Sequence, residues 1–310
     1  MNSTRLSTTQ IAEICGVSQG TVDRALNNRK GISPKTKEKI LNVAKEYGYR
    51  PNIHASSMAG GKSHLIGVVV FDLDNQYFSD VLTCIEASCT AEGYSTVVMF
   101  TNKDPKKEIE CIRNLYHMAV DGMVLCPVNG GEEYENFLLS FNIPIVTIGN
   151  KLERIPYAGI DNALAIRKAV KSILHTGDRT LIYVKPEMSQ RNTFAQTQRY
   201  SAFVTVCENE KVRYVITDLQ NAEKEVAEHR PCVLVCPTDI YAIRLLPVAA
   251  KYGAGIIGFD NLRLIDELGL ILDSVSYDVP LTAKVAVDHI VNGTPIGDFV
   301  PCQVVKRGSV

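Results

Sequence analysis

The chain of 310 residues is too long for a single hydrophobic core, and its 45% hydrophobic residues, 22% charged residues and net charge of −1 are typical of a globular protein. Its start lacks the apolar stretch of a secretory signal, and no run approaches the roughly 18 apolar residues that a membrane helix needs. The sequence therefore argues against an exported or membrane-spanning protein, and we expect a cytoplasmic one with no membrane partner.

The charge is divided unevenly along the chain. Residues 1–62 contain ten Lys or Arg against four Asp or Glu, whereas residues 63–310 contain 23 against 30. A compact basic segment at one end is expected of a module that contacts a polyanion. A solvated basic surface is the alternative that charge alone leaves open.

Three short helices are predicted in the first fifty residues, each after a serine that can cap it. The capping residues are Ser7, Ser18 and Ser33. Gly16 ends the first helix, and the second runs from Gln19 to about Leu26, so the turn between them has the length found in a helix-turn-helix. The predicted core faces are Ile11, Ala12, Ile14 and Cys15 in the first helix and Ile40, Leu41, Val43, Ala44 and Tyr47 in the third.

This basic three-helix segment is predicted to bind DNA. The second helix would enter the major groove, with the start of the helix nearest to the base edges. The capping serines and the helix N-termini would contact phosphates. The residues expected at the bases, or close to them, are Gln19, Gly20, Thr21, Arg24 and Asn27. A three-helix protein-interaction module is the alternative.

From residue 65 onward, short β-branched runs alternate with helical stretches. Buried strands are predicted at 65–71, 95–100, 122–126, 145–148, 180–184, 212–216, 232–236 and 255–259. Helices are predicted at 77–92, 106–117, 163–176 and 239–251. This alternation predicts two doubly wound parallel sheets side by side, with a ligand in the cleft between them at the carboxyl ends of the strands.

Motifs that would indicate catalysis, a metal or a cofactor are missing from the sequence. The nine cysteines are scattered and are interpreted as reduced, buried thiols. The six histidines form no metal-binding spacing, and neither a G-x-S-x-G elbow nor a nucleotide-binding glycine motif occurs. We therefore expect no catalytic residue, no metal site and no cofactor, and the protein is not expected to be an enzyme.

The stretch TTQIAEICGVSQGTVDRALNNRKGISPKTKEKILNVAKEYGYRPN resembles, without a gap, the DNA-binding domain of the lactose-repressor (LacI/GalR) family of bacterial transcription regulators. Two residues depart from the family's pattern. Asp23 replaces a serine and places an acid near a phosphate, while Gly20 vacates a position that often carries a base-reading side chain. Gln19 and Arg24 then remain as the principal readers.

The resemblance also gives a role to residues 51–63, which alone predict only a marginal helix and a flexible linker. In the family this segment becomes a helix when two protomers bind one operator, and a leucine wedges into the minor groove. Met58 occupies that position and is long enough to act as the wedge. Further DNA contacts are expected from Asn52, His54 and Ala55.

The resemblance continues through LIGVVVFDLDNQYFSDVLTCIEASCTAEGY, IPIVTIGNK, QRYSAF, CPTDIYA, IIGFDN and VVKRGSV, and it implies a periplasmic-binding-protein-like body. The effector pocket carried over from the family contains Asp74, Tyr77, Phe78, Asn150, Arg199, Thr238, Asp260 and Tyr277. The rings of Tyr77 and Phe78 would stack on a sugar or purine face, although both could simply belong to the core. Arg199 would donate charged hydrogen bonds and Asp260 would accept them.

Differences from the family's pattern in the effector-binding part of the chain leave the identity of the effector undecided. Gly149 and Asn150 replace an Asp-Arg pair that commonly grips sugar hydroxyls, Thr238 replaces an asparagine, and the segment 208–230 is shorter than usual. A modified sugar, a sugar acid or a polyol is therefore expected rather than an ordinary hexose, and loss of the ligand is a further alternative.

The domains predicted from this resemblance are a DNA-binding domain at 1–50, a hinge and linker at 51–63, and an effector-binding and dimerisation domain at 64–310. The last is expected to have one half at about 64–160 plus 277–296 and another at about 161–276 plus 297–310. The predicted function is that of a homodimeric repressor whose affinity for a pseudo-palindromic double-stranded DNA operator is controlled by a small-molecule effector, a sugar or sugar derivative. The sign of that control is left open, and a sugar-binding protein without regulatory DNA binding is the alternative.

Overall fold

The structure, a computed structural model, describes residues 6–26, 28–49, 61–174, 177, 179–186 and 193–310. Its contacts divide the chain into two compact units, Met1–Ser63 and His64–Val310. Five of the residues expected to bind DNA lie outside the described residues, namely Asn27, Asn52, His54, Ala55 and Met58.

The described part of the first unit contains three helices, α1 (Thr8–Cys15), α2 (Gln19–Leu26) and α3 (Pro34–Glu46). The predicted capping box is present, because the Ser7 hydroxyl accepts from the Gln10 N–H and the Gln10 side chain accepts from the Ser7 N–H. The hydroxyls of Ser18 and Ser33 likewise accept from backbone N–H groups in the first turns of α2 and α3. The caps therefore fix where each helix begins.

The three helices share one small apolar core, formed by Ile11, Ala12, Cys15, Val22, Ala25, Ile40 and Ala44. Three residues predicted for this core are instead exposed: Ile14 by 45%, Leu41 by 41% and Tyr47 by 53%. Their prediction was wrong because the buried stripe on each helix is narrow. In a small three-helix unit, each helix buries only the residues that directly face the other two helices. Apolar residues beside that face remain exposed to solvent.

The first sheet of the second unit has the strand order β2-β1-β3-β4, all parallel. Its strands are β1 (Leu65–Val70), β2 (Ser95–Phe100), β3 (Gly122–Leu125) and β4 (Ile145–Thr147). Its connecting helices are α4 (Gln76–Ala91), α5 (Pro105–His117) and α6 (Glu132–Leu139). Val68 lies opposite Val98 on one side and Val124 on the other, so β1 runs through the centre of the sheet.

The second sheet has the strand order β10-β9-β8-β7-β5-β6, parallel except for the pair β9 and β10. Its strands are β5 (Thr180–Lys185), β6 (Tyr214–Asp218), β7 (Cys232–Val235), β8 (Gly255–Phe259), β9 (Asp273–Tyr277) and β10 (Cys302–Val305). The accompanying helices are α7 (Asn162–Leu174), α8 (Thr193–Asn209), α9 (Ala222–Glu228), α10 (Asp239–Tyr252) and α11 (Arg263–Glu267).

After β9 the chain returns to the first sheet as α12 (Val279–Asn292), which packs against α4, β3 and β4. We call the first sheet with its helices and α12 the first half, and the second sheet with its helices the second half. Each sheet has an apolar core on both faces, as doubly wound sheets do. The predicted fold class, a helical head followed by an α/β body with two such sheets, is confirmed.

Two strands differ from their predicted positions by two residues or more. The strand expected at 212–216 is β6, two residues later, and the closing strand expected within 304–310 is already complete at Val305. The chain turns there because Asp273 Oδ1 accepts from the backbone N–H groups of Arg307, Gly308 and Ser309, which wraps these residues around one carboxylate. No described helix has the length and apolarity needed to cross a membrane.

Candidate functional site

The outward face of α2 carries most of the residues predicted to read DNA bases. Val22 and Ala25 are fully buried against the other helices, and this leaves Gln19, Gly20 and Arg24 exposed. The side chain of Arg24 makes no hydrogen bond to the described residues. Thr21 is half-buried, and its hydroxyl lies 2.9 Å from the Ser18 hydroxyl. The exposed face of α2 therefore presents the Gln19 amide and the Arg24 guanidinium, and Gly20 between them has no side chain.

Two side chains of α2 have partners that the sequence does not reveal. The Gln19 amide nitrogen donates to the Thr8 hydroxyl at 3.0 Å. This hydrogen bond connects the side chain of Gln19, a predicted base-contacting residue, to the start of α1. Arg29 forms an ion pair with Asp23 at 3.1 Å between Nη1 and Oδ2. The acid expected to lie near a phosphate thus has a cation beside it that offsets its charge.

A cavity of about 310 Å³ lies between the two halves of the second unit, and we call it the cleft cavity. Its walls come largely from residues that follow the carboxyl ends of strands in both halves, which is where ligands bind in open α/β sheets. Seven residues predicted to bind the effector line it, namely Asp74, Tyr77, Phe78, Arg199, Thr238, Asp260 and Tyr277.

The polar centre of the cleft cavity is an ion pair between Arg199 on α8 and Asp260 after β8. Arg199 is only 8% exposed, and its Nη2 lies 3.8 Å from Asp260 Oδ1. Its Nε donates to Asn162 at 2.9 Å and its Nη1 to the Pro237 carbonyl at 2.8 Å. The guanidinium also lies over the Phe259 ring, 3.5 Å from the centroid. Arg199 is therefore held rigidly and offers its Nη2 hydrogens to the cavity.

Asp260 is held in an uncommon backbone conformation, with φ at 101°. The loop behind it is fixed by the buried Asp239, whose two oxygens accept from the Ser274 hydroxyl at 2.6 Å and the Leu262 N–H at 2.8 Å. A side chain on Gly258 would clash with Asp239 Oδ1, so glycine is needed for this approach. Such strain at a cavity is typical of a functional site.

Two buried carboxyls of this region have raised pKa values. Burial raises the pKa of Asp260, while the Arg199 guanidinium and the hydrogen bonds from Tyr277 and Asn75 oppose the rise. Burial, reinforced by the negative charge of Asp260, raises the pKa of Asp239 to about 8. The energetic cost of burying these charges is therefore linked to pH.

We expect the stability of the protein to fall between about pH 4 and pH 8 through Asp239, because its folded form binds a proton that the unfolded form has already lost. The free energy of unfolding, measured with urea at pH 5, 6.5 and 8, should therefore decline more steeply in the wild type than in Asp239→Asn. Equal slopes in the two proteins would contradict this assignment.

Aromatic rings form the apolar wall of the cleft cavity. Tyr77 meets Phe78 at 5.1 Å and Tyr277 at 5.7 Å between ring centroids, both edge to face. Phe78 is buried and packs on Phe71 at 5.4 Å, so it serves both the core and the wall. A rigid charged pair beside aromatic rings suits a small ligand with hydroxyl groups and an apolar face.

Asn150, which was predicted to contact the effector, does not line the cleft cavity. Its side-chain nitrogen donates to the Pro127 carbonyl at 2.7 Å, and its oxygen accepts from the Ala195 N–H at 3.0 Å. The residue is 1% exposed. It therefore joins the first half to the start of α8 instead of facing a ligand.

Several residues of the cavity were missed in the sequence. Asn75 caps α4 and also donates to Asp260 Oδ2 at 3.4 Å, and Lys103 pairs with Asp72 at 3.0 Å. Arg244 lines the cavity without a hydrogen bond or ion pair to any described residue. Asn75 could have been predicted from the sequence, because it lies between Asp74 and Tyr77, which were both predicted to line the pocket. Other lining residues that were missed include Tyr157, Asn162, Gln196, Tyr241 and Thr282.

Comparison with known families identifies both units. Residues 9–52 match the family model of bacterial regulatory proteins, lacI family. Residues 63–282 match that of periplasmic binding proteins and sugar binding domain of LacI family. The two models together span most of the chain.

Similar curated proteins cover nearly the whole chain. Catabolite control protein A of Staphylococcus epidermidis (strain ATCC 12228 / FDA PCI 1200) is 26% identical over 324 residues, which cover 96% of this chain and 97% of that protein. The HTH-type transcriptional regulator DegA of Bacillus subtilis (strain 168) is 27% identical over 278 residues, covering 82% of this chain and 81% of DegA.

Solved structures share the fold at lower identity. The Lac repressor dimer bound to operator and the anti-inducer ONPF superposes with a TM-score of 0.83 at 19% identity, covering 97% of this chain and 98% of that one. The complex of the transcriptional regulator CelR with cellobiose gives a TM-score of 0.65 at 18% identity, covering 99% of this chain and 100% of that one.

Proposed function

The chain belongs to the LacI family of bacterial regulatory proteins, and on that basis we propose that a sugar or sugar derivative in its cleft cavity controls its affinity for an operator. Membership makes the chain a DNA-binding transcriptional regulator rather than an enzyme. The observation that carries the proposal is the buried pair of Arg199 and Asp260 beside aromatic rings in that cavity.

In this proposal the DNA contacts come from the first unit. The exposed Gln19 and Arg24 of α2 read bases in the major groove, and the N-termini of the three helices contact phosphates. Met58, outside the described residues, is the proposed minor-groove wedge. The effector changes the angle between the two halves and so favours or releases the operator-bound form, a shift between two states.

A homodimer on a pseudo-palindromic operator is part of the same proposal. Edge strand β2 leaves Val98 half-exposed, and an unpaired apolar edge strand invites a partner. Leu268 and Ile271, near the start of β9, are 60% and 65% exposed. Exposed apolar side chains in both halves are consistent with an interface between two copies of this chain.

Thermal unfolding of the full chain in the presence of sugars, sugar acids, polyols and nucleosides tests the effector site. A ligand at one hundred times its Kd should stabilise the wild type by about 2.7 kcal/mol, a rise of several degrees in Tm. The rise should disappear in Asp260→Asn and persist in Asp298→Asn, which alters an exposed carboxylate outside the cleft cavity. A rise that survives in Asp260→Asn would place the ligand elsewhere.

A further inference from the structure

A second cavity, of about 550 Å³, adjoins the cleft cavity, and we call it the outer chamber. Tyr77, Asp260 and Tyr277 line both spaces and therefore stand between them. The remaining walls of the outer chamber are mostly polar and include Ser79, Asp80, Thr83, Asn261, Arg263, Ser276 and Asp278. Hydroxyl, carboxylate and guanidinium groups of this kind can hydrogen-bond a second hydroxylated ring.

The partition between the two spaces is made of side chains from both halves. Tyr77 comes from the start of α4 in the first half, while Tyr277 ends β9 of the second sheet, and their rings meet edge to face at 5.7 Å. The Tyr277 hydroxyl donates to Asp260 Oδ1 at 3.0 Å, and Asn75 donates to Asp260 Oδ2 at 3.4 Å. The partition is therefore formed by side-chain contacts.

The volumes decide what fits on each side. At about 310 Å³ the cleft cavity is at the lower end of the range of about 300–1,000 Å³ that ligand pockets occupy. One sugar ring can enter it, and a second ring linked on the side of Tyr77 and Tyr277 must pass the place where these two rings meet. A disaccharide would then need the outer chamber as well.

We propose that Tyr77 and Tyr277 form a size gate that restricts the effector to a single sugar ring. The inference rests on the proposed function, because it assumes that the effector occupies the cleft cavity. Removing the Tyr77 ring joins the two spaces and admits a disaccharide. Retaining the ring without its hydroxyl leaves the gate closed.

Calorimetric titration of the full chain tests the gate, with D-glucose, D-galactose, D-glucuronic acid and D-galacturonic acid set against maltose, lactose and cellobiose. The wild type should bind at least one of the single-ring compounds and prefer it over every disaccharide by at least tenfold. Tyr77→Phe should keep this preference whatever the change in its absolute affinities. Tyr77→Ala should bind a disaccharide at least tenfold more tightly than the wild type does. Tyr77→Val, a smaller truncation, replaces Tyr77→Ala if the latter does not unfold cooperatively.

The outcomes separate the gate from the function on which it rests. A wild type that binds a disaccharide as tightly as any monosaccharide overturns the gate, and so does a Tyr77→Ala protein that keeps the wild-type preference. In both cases the effector site itself stands. If none of the proteins binds any of these sugars and sugar acids, the gate fails, and the thermal unfolding screen with polyols and nucleosides then decides the proposed effector site.

Discussion

Replacing Arg199 by alanine should lower the free energy of unfolding by about 3–5 kcal/mol and abolish effector binding, because it leaves Asp260 buried without its cation. The contact of the guanidinium with Phe259 is lost as well. The loss of stability should be larger at pH 8 than at pH 5, since protonation removes the unpaired charge. Urea unfolding at the two pH values measures it.

Two variants distinguish this effect from a general loss of packing. The double variant Arg199→Ala/Asp260→Asn should recover part of the stability but none of the effector binding, because no buried charge remains to be compensated. Arg263→Ala should stay within about 0.5 kcal/mol of the wild type, since Arg263 is 66% exposed and its partners lie at the surface. A double variant less stable than Arg199→Ala would contradict the role of the buried charge.

Replacing Arg24 by alanine should weaken operator binding by about 1–3 kcal/mol, or roughly 5- to 150-fold, and relax the preference at one base pair. The guanidinium is exposed on α2 and is not engaged by any described residue, so it is available to a base edge. Fluorescence anisotropy measures both effects, with an operator that the full chain selects from random double-stranded DNA and with operators altered at single positions.

The matched control removes the same charge from a different surface. Arg167 is exposed on α7 of the second unit and likewise has no hydrogen bond or ion pair to the described residues. Arg167→Ala should leave operator affinity unchanged. If Arg24→Ala weakens all DNA sequences equally, Arg24 contacts phosphate rather than bases. If Arg24→Ala has no effect, the placement of α2 in the major groove is wrong.

The local features of the fold could be predicted from the sequence. Capping serines, Gly16 and the alternation of β-branched runs act within a few residues, and the structure contains these caps and strands nearly as expected. Helix α12 was one of several helices that were not predicted individually, although Asp278 caps it, Pro280 lies in its first turn and Gly293 follows its end. Those signals are local too and would have been sufficient to predict it.

The cavity could be predicted only in part. Residues that follow strand ends, such as Asp74, Thr238 and Asp260, lie together because parallel strands bring their carboxyl ends to one edge. The support of Asp260 by Asp239 and Ser274 joins residues 35 positions apart, and no local pattern indicates such a contact. The position of Asn150 could not be predicted for a different reason. An asparagine amide can hydrogen-bond a ligand or a buried backbone group equally well, and the sequence does not distinguish the two.

The proposed effect of a ligand in the cleft cavity is a change in the affinity of the helical head for DNA. The most direct test is to select an operator with the full-length protein from random double-stranded DNA and to measure its Kd with and without the sugar that raises the Tm. We expect a pseudo-palindromic site whose Kd changes at least tenfold with the sugar in the wild type and not at all in Arg199→Ala/Asp260→Asn. Failure to select any DNA sequence, or an operator affinity that a bound sugar leaves unchanged, would contradict the account.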